Sequence, residues 1–338
     1  MLLSRRRLLT LAAGAGVLAA CSDDDAAPGP SGAPGPPATT TAPASVPATT
    51  PPLASTAAVD GFPRRVGRDF ATATIDARPT RVVATADRDQ LDVLLAMGLA
   101  PAMYGLSGDY ETVAPWIDAA LVAGVEATPM PGSFEPNLEA IAAARPDLIV
   151  DAWAEPSVHA DLSQIAPTIQ VKLDNTDSWQ AAQRLAGAAT GREEAAELAI
   201  AETEAVLAAQ AGRLAALAGL SVAVAFIDSA ELVMIPGNEI GGRVFTELGL
   251  QVHATPDGSS GRFSIENLAE LLGDADVIVS FDYGSLEGQE ANPLFVQLPA
   301  VAAGRYVRLD VDTATACYQE STLSVRWAAG RVADALLA

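Results

Sequence analysis

Residues 177–217, DSWQAAQRLAGAATGREEAAELAIAETEAVLAAQAGRLAAL, contain no strand-like run, although strands and helices alternate on both sides of them. Leucine and valine recur among the alanines at helical spacing, which predicts helix. Because Gly187 and Gly191 interrupt the pattern, we predict a short helix followed by a long one from Arg192 to Leu217. The stretch therefore links two separate units.

The unit before these linking helices, which we assign to residues 177–218, spans residues 61–176. Its first apolar run, Arg81–Thr85, predicts a buried strand, and Gln90–Met97 predicts a helix that Gly98 ends. A further helix is predicted at residues 138–144, and further strands at residues 101–105, 147–150 and 168–173.

The unit after the linking helices, residues 219–338, repeats the alternation. Strands are predicted at residues 222–227, 277–281 and 306–309, and helices at residues 240–248, 265–272 and 323–337. Such alternation is typical of mostly parallel sheets with helices on both faces. The predicted fold class is α/β, with two Rossmann-like lobes joined by one long helix whose stiffness keeps their relative movement modest.

The first 21 residues are typical of an export signal. Three arginines, Arg5–Arg7, precede the apolar run Leu8–Ala20, which is too short to cross a hydrocarbon core of about 30 Å as a helix. The arginines resemble a twin-arginine signal, but a general secretory signal also begins with basic residues. Leu18–Cys21 resembles the bacterial lipobox, which implies that Cys21 is lipidated and becomes the mature N-terminus.

Residues 22–60 contain nine prolines and almost no large apolar side chains. Such a segment cannot bury enough surface to offset its ordering entropy, so we predict a disordered tether. The whole chain has 42 acidic and 20 basic residues, a net charge of -22, of which the body from Gly61 onward carries -21. Because nucleic-acid binding draws on clustered Lys and Arg, this charge argues against a nucleic-acid partner.

The order of several segments resembles ABC-transporter substrate-binding proteins for ferric siderophores, haem and cobalamin. The resemblance covers about residues 69–337 and is carried by Arg81-Val82-Val83, Pro136–Ile141, Arg145–Ile149, Gly242–Phe245, Phe263–Leu268, Ala275–Ile278 and Leu298–Val301. It implies a ligand cleft between the lobes, at the carboxyl ends of the strands. It also implies ABC permease subunits as partners, and we expect a monomer.

Two glutamates, Glu139 and Glu266, match acidic positions that pair with permease arginines in this family. The resemblance therefore implies that both are permease-docking residues, one on each lobe. Each also falls in the first turn of a predicted helix, where the macrodipole favours an anion by roughly 0.3–1 kcal/mol. The two roles are compatible.

Candidate ligand contacts lie in or beside loops that follow predicted strands. They are Arg88, Tyr104, Tyr110, Phe134, Trp153, Arg243, Arg262, Tyr283 and Tyr318. Aromatic faces would provide area for a bulky chelate, while a few charged groups would set specificity. As alternatives to ligand contact, Trp153 would cover the edge of the core, and Arg243 would form a structural ion pair.

The chemistry of the ligand follows from the small number of basic residues in these loops. Catecholate chelates are anionic and need several cationic partners, so a ferric siderophore of the hydroxamate type is favoured, with no resident cofactor. Haem and cobalamin are the alternatives, and Tyr104, Tyr110, Tyr283, Tyr318 or His159 could be a haem axial ligand.

Other classes of function have weaker support. Direct binding of a transition metal would need clustered histidines, but His159 and His253 are the whole inventory and fall in different lobes. An enzyme is not expected: Gly258–Gly261 is too short for a serine-hydrolase turn, and Cys317 is predicted to be a small buried hydrophobe. An envelope lipoprotein without a transport role stays open.

Overall fold

The computed structural model describes residues 61–107, 113–130, 135–228, 231–255, 258, 260–283 and 292–338. The predicted signal, the lipidation site Cys21, the tether and the candidate contacts Tyr110 and Phe134 lie outside these residues. Among the described residues, no helix has the length and apolar character needed to cross a membrane.

The N-terminal lobe contains a sheet of five parallel strands, in the order β5-β4-β3-β6-β7, beside a two-stranded antiparallel sheet, β1-β2. The middle strands are apolar runs buried on both faces because helices cover both sides of the sheet. The elements in chain order are β1 (Arg64–Val66), β2 (Ala73–Ile75), β3 (Val82–Ala84), α1 (Asp89–Ala96), β4 (Met103–Leu106), β5 (Glu126–Pro129), α2 (Leu138–Ala144), β6 (Leu148–Asp151), α3 (Pro156–Ser163) and β7 (Thr168–Gln170).

The linking stretch folds as two helices, α4 (Trp179–Thr190) and α5 (Glu193–Arg213), which pack against each other. Gly191 ends α4 with φ +66°, a left-handed conformation that glycine adopts without a steric penalty. Gly187 does not interrupt the helix: a Cβ there would lie 2.6 Å from the Ala196 side chain, so glycine permits the close approach of α5. A 3-10 turn, rather than α-helix, occupies Ala215–Leu217.

The C-terminal lobe contains a sheet in the order β11-β9-β8-β12-β13, with β10 also paired to β8. Strands β10, β12 and β13 run parallel to β8, whereas β9 and β11 add an antiparallel edge that the sequence pattern did not predict. The elements are β8 (Ser221–Ile227), β9 (Glu231–Met234), α6 (Arg243–Glu247), β10 (Gln251–Val252), β11 (Gly261–Ser264), α7 (Leu268–Leu272), β12 (Val277–Phe281), α8 (Pro293–Val296), α9 (Pro299–Ala302), β13 (Tyr306–Leu309), α10 (Val311–Gln319) and α11 (Thr322–Leu337).

A buried carboxylate joins the two lobes. Asp92 of α1 accepts hydrogen bonds from the Leu323 N–H at 2.8 Å, the Ser324 N–H at 3.2 Å and the Ser321 hydroxyl at 2.7 Å. The first lobe thus satisfies the free N–H groups at the start of α11 in the second lobe. Burial raises the pKa of Asp92 to about 6, against the opposing effect of these donors.

Replacing Asp92 by Ala should lower the free energy of unfolding by about 2–4 kcal/mol, because the donors at the start of α11 lose their acceptor in a water-free site. Chemical denaturation of the two proteins measures this difference. Asp118→Ala is the matched control, since Asp118 caps a solvent-exposed 3-10 turn through the Ala120 N–H. An equal loss in both variants would contradict a special role for the buried cap.

Candidate ligand-binding cleft

Three strands of the N-terminal sheet, β3, β6 and β7, end at the same edge because they run parallel. The residues that follow them are Asp87 and Arg88 after β3, Trp153 after β6 and Lys172 after β7. At the end of β6 itself, Asp151 accepts a hydrogen bond from the Thr85 hydroxyl, and burial raises the pKa of Asp151 to about 6. Acidic and basic side chains are therefore concentrated at the edge that faces the second lobe.

Lys172, the only lysine of the chain, connects this edge to α10 of the C-terminal lobe. Its side chain is fully buried, and Nζ lies 3.0 Å from Asp89 Oδ1 in an ion pair. Nζ also donates to the carbonyl oxygens of Gln319 at 2.7 Å and Glu320 at 2.8 Å, at the end of α10. A buried ammonium is tolerated only with such partners, so the lobes are tied together here.

A second buried ion pair lies beside the first. Arg243 pairs with Glu320 and donates to the carbonyl oxygens of Asp177 at 3.1 Å, Asn175 at 3.0 Å and Asn238 at 3.2 Å. The structural ion pair considered for Arg243 is thus present, and a ligand contact stays a prediction. Burial raises the pKa of Glu320 to about 7, although Lys172 and Arg243 oppose the shift.

Trp153 presents its indole at the carboxyl edge of the first lobe. Its backbone adopts φ +65°, a left-handed conformation that costs a non-glycine residue of order 1 kcal/mol or more. The indole N–H donates to Asp89 Oδ2 at 3.2 Å, and the ring lies 5.8 Å from Lys172 Nζ. The side chain is nevertheless 38% exposed, and a ligand contact for Trp153 stays a prediction.

Helix α10 forms the opposite side of the cleft. Asp312 and Thr315 on its first turns line a small recess together with Asp87, Arg88 and Trp116 of the first lobe. Tyr318, near the end of the same helix, is 42% exposed. Burial and the nearby Glu239 carboxylate raise the pKa of Tyr318.

The remaining candidate contacts are spread over both lobes. Tyr104 is buried in β4 close to Asp87, and burial raises its pKa. Tyr283, 37% exposed, stacks on Phe226 with ring centroids 4.7 Å apart. Arg262 lies on the edge strand β11 and forms an ion pair with Glu231. The structure brings Arg88, Trp153 and Tyr318 to the interlobe edges, whereas Tyr104 lies within the first lobe.

Both docking candidates are exposed and lie at the carboxyl edges of their sheets. Glu139 is in the first turn of α2, and Glu266 is in the turn that follows β11. Neither carboxylate forms an ion pair with another of the described residues. Their positions leave them available to an external partner.

Sequence reasoning missed Asp89, Lys172 and Glu320, which organise the cleft. The available signal was the presence of one lysine among twenty basic residues, near the end of the apolar strand predicted at residues 168–173. Its significance depends on contacts more than 140 positions away along the chain. Cys317 is buried, which confirms the prediction for that residue. In the described ranges, no three His, Cys, Asp or Glu side chains converge on a possible metal site.

The profile of the periplasmic binding protein family matches residues 83–313, more than two thirds of the chain. The chain therefore belongs to this family, whose α/β architecture agrees with the two lobes described above. The predicted relationship and fold class are thereby confirmed.

Two curated relatives extend over most of the chain. An Fe(3+)-citrate-binding protein, YfmC, from Bacillus subtilis is 29% identical over 255 residues, covering 72% of this chain and 76% of its own length. The ferric enterobactin-binding periplasmic protein FepB from Escherichia coli is 27% identical over 284 residues, covering 77% and 88%. Among solved structures, Streptococcus pneumoniae PiaA in complex with ferrichrome matches with a TM-score of 0.67 at 22% identity, covering 80% of this chain and 97% of PiaA.

The raised pKa of Glu320 predicts how stability depends on pH. The unfolded glutamate titrates near 4.5 and the folded one near 7, so folding favours the protonated form. The stability that protonated Glu320 contributes to the folded state is fully present below pH 4.5 and is lost as the pH rises through 7. The thermal midpoint should therefore fall between pH 5 and pH 8, and the fall should be smaller in Glu320→Gln.

Thermal unfolding followed by circular dichroism across this pH range measures the effect. Glu194→Gln is the control because Glu194 is exposed and lies in the first turn of α5. The same pH dependence in Glu320→Gln and wild type would show that Glu320 does not carry it.

Proposed function

We propose that this protein is an extracytoplasmic, lipid-anchored solute-binding protein of an ABC importer, which captures a ferric siderophore and delivers it to a permease. The carrying observation is that a partly exposed aromatic ring lies on each lobe next to the interlobe contacts: Trp153 beside Lys172 on the first lobe, and Tyr318 on α10 of the second. Exposed rings beside buried charges suit a bulky chelate held without covalent chemistry. Membership of the family supports the same role.

The relatives differ in the ligands that their names state, which are ferric citrate, ferric enterobactin and ferrichrome. The choice for this chain therefore depends on the charge around its own cleft. The cations Lys172 and Arg243 are matched by Asp89 and Glu320 in buried ion pairs.

The charged groups beyond these pairs favour an uncharged or cationic ligand. Asp87 and Asp312 line the interlobe recess with Arg88 as its basic residue, and the Glu239 carboxylate lies near Tyr318. An anionic catecholate or citrate chelate would be repelled by this arrangement. A neutral ferric hydroxamate such as ferrichrome would not.

Delivery to the permease depends on the two exposed glutamates and the anchor. Glu139 and Glu266 are exposed, one on each lobe, in the first turn of α2 and in the 3-10 turn after β11, so one surface of the permease could engage both. Lipidation of Cys21 and a tether over residues 22–60 would hold the body beside the membrane despite its negative charge. These two features support capture and hand-over at the same surface.

Fluorescence titration of the intact protein tests the ligand. Ferrichrome should quench tryptophan emission to saturation, and ferric enterobactin and ferric citrate should bind at least about tenfold more weakly because of charge repulsion. Ferric nitrilotriacetate controls for non-specific quenching. Failure of every chelate to saturate would refute the siderophore proposal, and a Soret band on adding stoichiometric haemin would redirect it to haem.

Charge reversal at both docking positions, Glu139→Arg with Glu266→Arg, should reduce ferrichrome uptake by cells about tenfold or more while leaving the Kd of the purified protein unchanged. The reason is that the permease surface would meet two like charges, whereas the cleft is untouched. Glu194→Arg is the matched control, an exposed first-turn glutamate on α5. A comparable loss of ligand affinity in the double variant would place the two glutamates in the ligand site instead.

A further inference from the structure

We propose that Trp153 on the first lobe and Tyr318 on the second form aromatic walls of the ligand cleft, and that Lys172 is a positioning residue that sets their separation. In this role it governs the size of the chelate that fits between them. The inference rests on the proposed ligand-binding function and deepens it.

The first step is the position of the ammonium group. Lys172 Nζ has one ionic partner in its own lobe, Asp89, and two carbonyl partners in the other lobe, on Gln319 and Glu320. All lie within 3.0 Å in a site that excludes water. A charge buried in this way cannot shift without losing partners, so the distance between the lobes is constrained at this point.

On the first lobe, Trp153 makes two contacts with the same lysine and a third with Asp89. The Trp153 N–H donates to the Lys172 carbonyl at 3.0 Å, the ring lies 5.8 Å from Nζ, and the indole N–H is held by Asp89, the ionic partner of Nζ. Nε1, the only polar atom of the Trp153 side chain, is therefore already hydrogen-bonded. The exposed part of Trp153 is an apolar ring face with a defined orientation.

On the second lobe, the carbonyl acceptors of Lys172 come immediately after Tyr318. Glu320 closes α10 in a left-handed conformation, φ +47°, which directs the last carbonyls toward the ammonium. A cation at a helix C-terminus is favourable because the free carbonyls concentrate partial negative charge there. The Tyr318 ring packs against Gly241, where a Cβ would lie 3.3 Å from Cδ2.

Another interlobe contact provides a natural comparison. Asp92 also joins the lobes through a buried charge, yet it bonds to the start of α11 and touches neither aromatic side chain. Loss of the Asp92 contact should loosen the lobes without displacing the walls. Loss of the Lys172 ammonium should release Asp89, Trp153 and the end of α10 together.

The test is Lys172→Met in the intact protein, which removes the charge while preserving a long, unbranched side chain. We expect the Kd for ferrichrome to rise about tenfold or more. The emission of Trp153, obtained as the difference between each protein and its Trp153→Phe counterpart, should shift toward that of a solvated indole. Asp92→Asn is the control, with a lower thermal midpoint but a ferrichrome Kd within about twofold of wild type.

A folded Lys172→Met protein with wild-type affinity and an unchanged Trp153 spectrum would overturn the inference. If that variant does not fold, Asp89→Asn takes its place, because it keeps the volume and an acceptor for the indole N–H while removing the charge beside the ammonium. We expect the Kd of Asp89→Asn to rise about threefold or more. An unchanged Kd would refute the role of the Lys172–Asp89 pair. If wild type binds no chelate, the proposed function fails, but the Trp153 spectrum still tests whether Lys172 positions the ring.

Discussion

The buried ammonium of Lys172 is the interaction on which the geometry of the cleft depends. A single fully buried charge would be highly unfavourable, and its three partners come from both lobes, so it is satisfied only when the lobes are correctly placed. Arg243, which pairs with Glu320 in the second lobe, extends the same network across the interface by donating to the Asn175 carbonyl. The two lobes therefore meet through polar contacts of defined length, which apolar packing alone would not specify.

The buried charges and the exposed aromatic rings at this interface have different roles. Lys172 and Asp89 satisfy one another inside the protein, while the Trp153 and Tyr318 side chains stay partly exposed. The helices α4 and α5 add a second connection between the lobes, and Asp92 a third at the start of α11. These contacts fix the relative position of the two lobes, and a binding surface that is fixed before its ligand arrives loses less entropy on binding.

Local patterns predicted most of the secondary structure. The helix at residues 138–144 and the strands at residues 277–281 and 306–309 agree with α2, β12 and β13, because each is a mainly apolar run between clear end signals. The antiparallel edge of β9 and β11 was missed since its strands are short and only half-buried. Gly187 was misinterpreted as a break because the close approach of Ala196 is a tertiary contact.

By itself, the sequence determined the α/β class, the two lobes and the linking helices, since these follow from the spacing of apolar residues along the chain. It also directed attention to Trp153 and Tyr318, which follow or flank predicted elements. Only the tertiary structure decided which charges are matched: Lys172 with Asp89, and Arg243 with Glu320. Those pairs join residues far apart in sequence, and electrostatic energy depends on distance and burial in space, neither of which periodicity encodes.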